Sequence, residues 1–331
     1  MTKVQSFAVL WALVIGACST LAALAAPASG PAGQAVSAGE QQLAILDTDI
    51  GDDIDDAFAL ALVLRSPEIK LLGITTAYGD TELRARLVDR YLKAIGRADI
   101  PVAAGKATTA KNTFTQRAYA EHEADRKHKD GVQFLLDQIK ALPGQVTLIA
   151  IGPLVNVGEA IKRDPETFKK LKRVVMMGGS VYRGYDNGQS KQTAPQPEWN
   201  IVCDPASAQA LLASGVPVFM MPLDSTQVYL EAPERERIFS FGSPLTDQVT
   251  LLYHQWVGLN DWHGVKPTMF DPVAAAYAVK PELCPANPLR LEVDDKGMTR
   301  PVDGEPNANV CLQSDGPAFL ELLVGRITSQ K

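Results

Sequence analysis

An apolar segment that runs straight into a cluster of acids limits what this chain can fold into more than any other feature. Residues 43–46 are Leu-Ala-Ile-Leu, and six aspartates follow within the ten positions from Asp47 to Asp56. A continuous apolar run of this kind is typical of a buried parallel strand. From Ala57 onward, apolar residues recur every three or four positions, which indicates a helix. The segment therefore predicts a strand, an acidic turn and a helix.

The crowding of these carboxylates indicates a bound cation. Ionised carboxylates this close repel one another and raise one another's pKa unless solvent or a cation compensates them. Capping of the following helix would use one or two aspartates, not six. Oxygen ligands without a nearby histidine or cysteine favour Ca²⁺ or Mg²⁺ over zinc. An EF-hand loop does not fit, because the twelfth position counted from Asp47 is Phe58 and such loops need glutamate there.

The order of strand, polar turn and helix recurs along the chain. Further strands are predicted at residues 69–76, 146–151, 174–177 and 216–221. This alternation is typical of an open α/β sheet with mostly parallel strands and helices on its faces. Ligands of such sheets bind at the carboxyl ends of the strands. The acidic turn therefore lies where an active site is expected.

The last part of the chain is predicted to close the domain with a strand pair and a helix. Residues 289–293 and 309–312 are predicted to pair around the turn at 294–297. Residues 316–327 are predicted to form the closing helix. No repeat and no linker interrupts the chain after residue 40, so residues 41–331 are predicted to form one domain.

Several motifs resemble one known family. The pattern Asp-Thr-Asp, Gly and Asp-Asp-Ala at 47–57 resembles the N-terminal signature of the inosine-uridine preferring nucleoside hydrolases. Four later segments of this chain also resemble blocks of that family: Gly-Pro-Leu-Val-Asn at 152–156, Met-Gly-Gly at 177–179, Glu-Trp-Asn at 198–200 and Asp-Pro at 271–272. The resemblance implies an open Rossmann-like sheet and an N-glycosidase of EC 3.2.2 type, acting in purine and pyrimidine nucleoside catabolism. Such an enzyme cleaves ribonucleosides into ribose and free base, with Ca²⁺ at the ribose.

The resemblance also implies a role for each matching position. The implied Ca²⁺ ligands are Asp49, Asp56, Asp271 and the main-chain carbonyl of Ile151. The implied substrate-binding residues are Asp80, Met177, Glu198 and Asn200. Glu198 and Asn200 alternate with Trp199, so in an extended segment they would project to one side. Asp55 would take the proton of the attacking water.

The chain departs from the family pattern at three places. Two additional residues separate Gly51 from the Asp-Asp pair, so Asp53 remains an alternative to Asp55 as the catalytic base. Asp80 stands where the family has asparagine, and it can accept from a sugar hydroxyl but cannot donate. Phe270 stands where the family has a histidine that assists the leaving base, and His263 is an alternative acid.

The charged segment at 105–130 has no clear periodicity and is predicted to be a loop over the site. Its two histidines, His122 and His128, are predicted to be solvated surface residues. Base preference depends on this segment and on residues 255–270, where the chain leaves the family pattern. The sequence therefore leaves the accepted base undecided.

Two other functions remain open. A haloacid-dehalogenase-like Mg²⁺ phosphatase also begins with a strand and Asp-x-Asp, and there Asp47 would be the nucleophile. The other is a non-catalytic nucleoside-binding or sugar-binding protein that kept the metal pocket. This alternative remains open because Phe270 stands in place of the family's histidine. A net charge of −6 argues against a nucleic-acid partner. A small ribonucleoside is the expected partner, and a homo-oligomer, either dimer or tetramer, is an open expectation.

The first forty residues are predicted to direct export rather than to join the fold. Lys3 precedes an uncharged apolar stretch at 7–26, followed by a tract rich in Pro, Gly, Ala and Ser. We predict a signal peptide at 1–26 and a flexible linker at 27–40, which gives a periplasmic or secreted protein. Residues 15–18 resemble a lipoprotein cleavage box ending in Cys18, so lipid anchoring is one alternative. An uncleaved membrane anchor is the other.

The remaining three cysteines are predicted to be structural. In an oxidising compartment Cys284 and Cys311 are candidates for a disulfide bridge. Cys203 lies in an apolar segment and is predicted to be a small buried residue.

Overall fold

A single ten-stranded sheet organises the part of the chain that the computed structural model describes, residues 41–186, 193–260 and 264–329. The strands are β1 Gln42–Thr48, β2 Ile69–Thr76, β3 Val102–Ala104, β4 Lys129–Asp130, β5 Thr147–Ala150, β6 Arg173–Met177, β7 Val218–Met221, β8 Ala286–Val293, β9 Thr299–Val302 and β10 Ala308–Cys311. Their order across the sheet is β4-β3-β2-β1-β5-β6-β7-β10-β8-β9. Among these described strands, β8 alone runs in the opposite direction, so it pairs antiparallel with both β10 and β9. The predicted open, mostly parallel α/β sheet is confirmed.

Helices connect the strands and cover both faces of the sheet. They are α1 Asp55–Leu64, α2 Thr81–Ala94, α3 Arg117–Glu121, α4 Gly131–Ala141, α5 Val155–Arg163, α6 Pro165–Phe168, α7 Trp199–Cys203, α8 Pro205–Ala213, α9 Leu223–Thr226, α10 Ala232–Phe239, α11 Pro244–Leu259, α12 Phe270–Val279 and α13 Gly316–Ile327. A 3₁₀ turn at Pro281–Leu283 follows α12. The two main apolar clusters lie between these helices and the sheet.

The strand order reverses at β1. This strand pairs in parallel with β2 on one side and with β5 on the other. After β1 the chain first builds one half of the sheet, from β2 to β4, and then returns to place β5 on the other side of β1. Such a reversal leaves a crevice beyond the carboxyl end of β1. The acidic turn that follows β1 lies in this crevice.

Two buried helices begin at the same crevice. Helix α1 is buried from Asp55 to Val63, and α12 is buried from Phe270 to Ala278. Both helices are apolar on nearly every side and pack against each other, so they belong to the core. Because both are anchored by this packing, the acids in their first turns have fixed positions.

The C-terminal strand pair forms, but its connection differs from the prediction. Strand β8 pairs antiparallel with β10, as predicted. The turn at 294–297, however, connects β8 to β9, a strand that was not predicted. Pro301 lies within β9, and proline cannot donate a hydrogen bond to a strand ladder, so the segment had no strand signature. The closing helix α13 lies at the predicted residues.

The cysteines fall into two groups. Cys284 and Cys311 form a disulfide bridge with a Cα–Cα distance of 5.5 Å, which joins the end of the 3₁₀ turn to β10. Cys203 is only half-buried, so the prediction of a buried residue is wrong. It is the last residue of α7 and lies beside the Tyr78 side chain, where the end of this short helix leaves it partly exposed.

Residues 1–40, with the predicted signal peptide, linker and Cys18, lie outside the described residues. None of the helices within residues 41–186, 193–260 and 264–329 has the length and apolarity needed to cross a bilayer.

The segment at 105–130, predicted to be a loop over the site with solvated histidines, includes helix α3 and strand β4, and its His128 is buried. Its side chain has no exposed surface, and its Nδ1 lies 2.6 Å from Oε2 of Glu82 while its Nε2 lies 2.9 Å from Oδ2 of Asp89. Both acids belong to α2, so the two contacts of the His128 ring connect the segment at 105–130 to α2. The prediction of a solvated His128 is wrong because two carboxylates compensate its burial. His122 is exposed, as predicted.

Replacing His128 by glutamine is expected to lower the free energy of unfolding by about 1–2 kcal/mol near pH 5.5. Burial lowers the pKa of His128, but hydrogen bonds to Asp89 and Glu82 outweigh burial and raise it above its ordinary value. The imidazolium therefore stabilises the fold fully below the unfolded-state pKa of about 6.5. This contribution is lost as the pH rises through the folded-state pKa.

Urea unfolding of the variant and the wild type should thus differ most at low pH, and the difference should shrink as the pH rises. His122→Gln is the matched control and should stay within about 0.5 kcal/mol of the wild type at every pH. A His128→Gln difference that does not change with pH would mean that folding leaves the pKa of this ring unchanged, and it would contradict the predicted stabilisation by the imidazolium.

Candidate active site

A cavity of about 380 Å³ opens at the carboxyl ends of β1, β5 and β6. These strand ends contribute Asp49, Ile151 and Met177 to its lining. The acids that line it are Asp49, Asp52, Asp53, Asp55, Asp56, Glu198 and Asp271. A larger groove of about 940 Å³ runs along β3 and α4, but none of the predicted site residues lines it. The smaller cavity is therefore the candidate active site.

Three carboxylates converge in this cavity from two helix N-termini. Asp55 and Asp56 occupy the first turn of α1, and Asp271 occupies the first turn of α12. One oxygen from each lies within 4.8 Å of the others. The Asp271 main-chain N–H also donates to Oδ2 of Asp55 at 3.1 Å. Carboxylates are favoured at helix N-termini, so the fold itself gathers these charges.

The electrostatics of the cluster call for a cation. Burial raises the pKa of Asp55, Asp56 and Asp271 well above the usual range, and the neighbouring carboxylates raise it further. Burial also raises the pKa of Asp49 to about 7. A cation bound among such carboxylates stabilises their ionised form. All candidate donors are oxygens, so the cluster fits a hard divalent cation.

Asp49 lies against the turn that follows β5. A Cβ atom placed on Gly152 would come within 2.7 Å of Oδ1 of Asp49, so only glycine permits this approach. Ile151, directly before Gly152, also lines the cavity. The structure therefore brings the four predicted metal ligands Asp49, Asp56, Ile151 and Asp271 to one cavity. Asp55, predicted as the base, is also among the three converging carboxylates.

Asp47 and Thr48 support the site from behind. Asp47 is fully buried, and its Oδ1 accepts hydrogen bonds from Thr75 and from Asn156. Asp47 does not line the cavity, so it cannot act as the nucleophile that the phosphatase alternative requires. The Thr48 hydroxyl donates to Oδ1 of Asp56 and so orients that carboxylate.

Glu198 and Asn200 both line the cavity, but the backbone argument that grouped them is wrong. The segment is not extended: Glu198 caps the short helix α7 and accepts from the main-chain N–H groups of Asn200, Ile201 and Gly179. The Asn200 side chain donates to the carbonyl oxygens of Ile151 and Met177, at 3.1 and 3.2 Å. The cap, rather than strand alternation, directs both side chains inward.

Asp53 and Asp80, both predicted site residues, differ in their position relative to the cavity. Asp53 lines the cavity, as the alternative base should. Asp80 does not line it: its side chain is exposed and accepts from the main-chain N–H of Leu83 at 3.0 Å, as the N-cap of α2. The structure therefore gives Asp80 a capping role and does not bring it to the other site residues. His263 lies outside the described residues.

An aromatic wall completes the cavity. It consists of Tyr185, Trp199 and Phe270. The Tyr185 and Phe270 rings meet edge to face, with their centroids 6.0 Å apart. The Tyr185 hydroxyl accepts from the Trp199 main-chain N–H at 3.0 Å. Sequence reasoning did not predict Tyr185, which follows a glycine in a loop without any motif, and Trp199 was noted only for its position between Glu198 and Asn200.

Known proteins of similar sequence and structure act on nucleosides. A pyrimidine-specific ribonucleoside hydrolase, RihA, from Salmonella gallinarum is 30% identical, over 86% of this chain and 97% of that protein. A probable uridine nucleosidase from Arabidopsis thaliana is 27% identical, over 87% of this chain and 98% of that protein. Among solved structures, a plant nucleoside hydrolase matches with a TM-score of 0.77 at 26% identity, over 87% of this chain and 99% of that one.

A purine-preferring ribonucleoside hydrolase from Gardnerella vaginalis also matches, with a TM-score of 0.74 at 25% identity, over 87% of this chain and 98% of that one. The sheet, the acidic cavity and these relatives define an N-glycosidase that hydrolyses ribonucleosides to base and ribose. The family model described as inosine-uridine preferring nucleoside hydrolase matches residues 44–321. The chain belongs to that family.

Proposed function

We propose that this hydrolysis depends on Ca²⁺ and uses an aspartate as general base. The observation that carries the proposal is the convergence of Asp55, Asp56 and Asp271 from two helix N-termini, with oxygens within 4.8 Å. Asp49 and the Ile151 carbonyl complete the proposed ligand set with Asp56 and Asp271. A bound Ca²⁺ would supply Lewis-acid polarisation at the sugar and the attacking water.

Asp55 is the proposed base. Its carboxylate is held by the Asp271 main-chain N–H, and burial raises its pKa, so it binds a proton more readily than an exposed aspartate does. Asp53 is the alternative, because it lines the same cavity. As the C1′–N bond breaks, the sugar gains positive charge, and the surrounding carboxylates stabilise that charge electrostatically.

The lining of the cavity offers contacts for both the sugar and the base of a nucleoside. Glu198 and Asn200 form a polar side next to Met177, where ribose hydroxyls can bind. Asp80 lies away from this side, so we do not include it among the proposed sugar contacts. Tyr185, Trp199 and Phe270 form the side against which a flat base can stack. The relatives include both pyrimidine-specific and purine-preferring enzymes, so a panel of nucleosides is needed to name the base.

Ribose release from inosine, adenosine, uridine and cytidine, with and without a Ca²⁺ chelator, tests the proposed function. Chelator-sensitive release supports it, and the absence of release would favour the alternative of a nucleoside-binding or sugar-binding protein.

We also propose that the protein is exported to the periplasm or the medium. The support is the disulfide bridge between Cys284 and Cys311, because such bridges persist in oxidising compartments. Intact-mass analysis of the protein from its native host should show loss of residues 1–26, and thiol titration after denaturation should find Cys203 alone. A lipid-modified Cys18 would instead establish the lipoprotein alternative. A full-length chain with all thiols free would contradict export.

A further inference from the structure

Arg84 is the buried cation closest to the acidic turn, and the catalytic proposal does not use it. Its side chain is 1% exposed, although it belongs to helix α2 rather than to the site. Nη2 of Arg84 lies 2.6 Å from Oδ2 of Asp52. A guanidinium is buried only when its charge is paired and its donors are satisfied. The contacts of the Arg84 side chain therefore indicate its structural role.

The contacts of Arg84 converge on the backbone of the acidic turn. Nη1 donates to the carbonyl oxygens of Asp49 and Ile50. Nε donates to the carbonyl oxygen of Tyr78 at 2.8 Å. Tyr78 lies two residues after β2 in a left-handed conformation, with φ of 62°, which costs energy for a tyrosine. One planar guanidinium thus joins the turns after β1 and β2, and the fixed fork of its donors sets their relative position.

Asp52 is held by the same group. Its Oδ2 accepts from Arg84 and also from the Asn112 side chain at 2.6 Å. Asp52 lines the cavity beside Asp49 and would otherwise be one more carboxylate available to a cation. The Phe114 ring covers the outer side of the guanidinium, with its centroid 5.0 Å from Cζ. Arg84 is therefore enclosed and cannot turn towards the substrate.

We propose that Arg84 is a positioning residue: it fixes the turn that aims Asp49 at the cation site and holds Asp52 away from that site. This inference rests on the proposed function, because it assumes that the cavity binds Ca²⁺. The inference predicts an unusual effect of removing the positively charged Arg84 side chain. If charge alone mattered, removal of a positive group would tighten Ca²⁺ binding. If Arg84 positions the turn, its removal weakens binding.

Calorimetric titration of chelator-treated protein with Ca²⁺ alone separates these cases. Arg84→Met should raise the dissociation constant about 10- to 100-fold, as loss of groups that orient metal ligands does. The double variant Arg84→Met with Asp52→Asn removes both charges and avoids an unpaired buried carboxylate, so it should fold even where the single variant does not. Its affinity should remain low, because the two hydrogen bonds to the backbone of the acidic turn and the one to Tyr78 are still missing.

Arg86→Met is the matched control. Arg86 lies on the same helix and donates to main-chain carbonyls of Glu121 and Glu123, away from the turn. Its Ca²⁺ affinity should equal that of the wild type. Wild-type affinity in the double variant, tighter binding in Arg84→Met, or an equal loss in Arg86→Met would overturn the inference. A wild type that binds no Ca²⁺ would overturn the calcium proposal together with it.

Discussion

Asp271→Asn is expected to abolish detectable Ca²⁺ binding and to lower kcat/KM about 10³-fold or more, because metal-ion stabilisation of a transition state is worth several kcal/mol. Asp271 supplies one of the three converging carboxylates, and its neighbours are already held by Thr48 and by the α12 N-terminus. Calorimetry and steady-state kinetics on the same preparation measure both effects.

Stability separates this loss of function from unfolding. Burial and the nearby acids raise the pKa of Asp271, so the ionised form destabilises the metal-free fold. The asparagine variant should therefore be at least as stable as the wild type in the presence of chelator near pH 8. Asp315→Asn, which changes an exposed N-cap of α13, is the matched control and should leave both activity and Ca²⁺ affinity unchanged. A variant that keeps Ca²⁺ binding would contradict the ligand role of Asp271.

Asp55→Asn is expected to lower kcat by about 10²–10⁴-fold while the Ca²⁺ dissociation constant stays within a few-fold of the wild type. The convergence of Asp55 with Asp56 and Asp271 also permits a ligand role, and only the affinity measurement distinguishes the two. A base that is not a ligand changes turnover alone. A ligand changes both quantities.

Asp49→Asn and Asp53→Asn complete the comparison. Asp49→Asn should weaken Ca²⁺ binding, since Asp49 belongs to the proposed ligand set. Asp53→Asn should have little effect on turnover if Asp55 is the base. A large loss of kcat in Asp53→Asn, with Asp55→Asn still active, would transfer the base role to Asp53.

The sequence predicted the centre of the site because its signals there are local. The apolar run of β1, the six acids and the apolar spacing of α1 are consecutive in the chain, so no knowledge of the fold was needed. Asp271 was predicted only through resemblance. What places it beside Asp55 is the packing of α12 against α1, a contact between helices more than two hundred residues apart in sequence.

The predictions that were wrong depended on contacts that leave no local pattern. His128 resembles a surface residue in sequence, and only the approach of α2 supplies the two acids that bury it. Glu198 was predicted through resemblance and lines the cavity, but strand alternation does not orient it, because its carboxylate caps a short helix. Arg84 is one of several basic residues on α2, and nothing in the sequence separates it from Arg86 or Arg90. Burial against the acidic turn distinguishes it.

Ribose release is the measurement that tests the central claim most directly. The purified mature protein is incubated with inosine, adenosine, uridine and cytidine in turn, with chelator and then with Ca²⁺ restored. We predict ribose from at least one nucleoside, its loss on chelation and its return with Ca²⁺. Folded protein that binds Ca²⁺ and releases no ribose from any of the four would contradict the account.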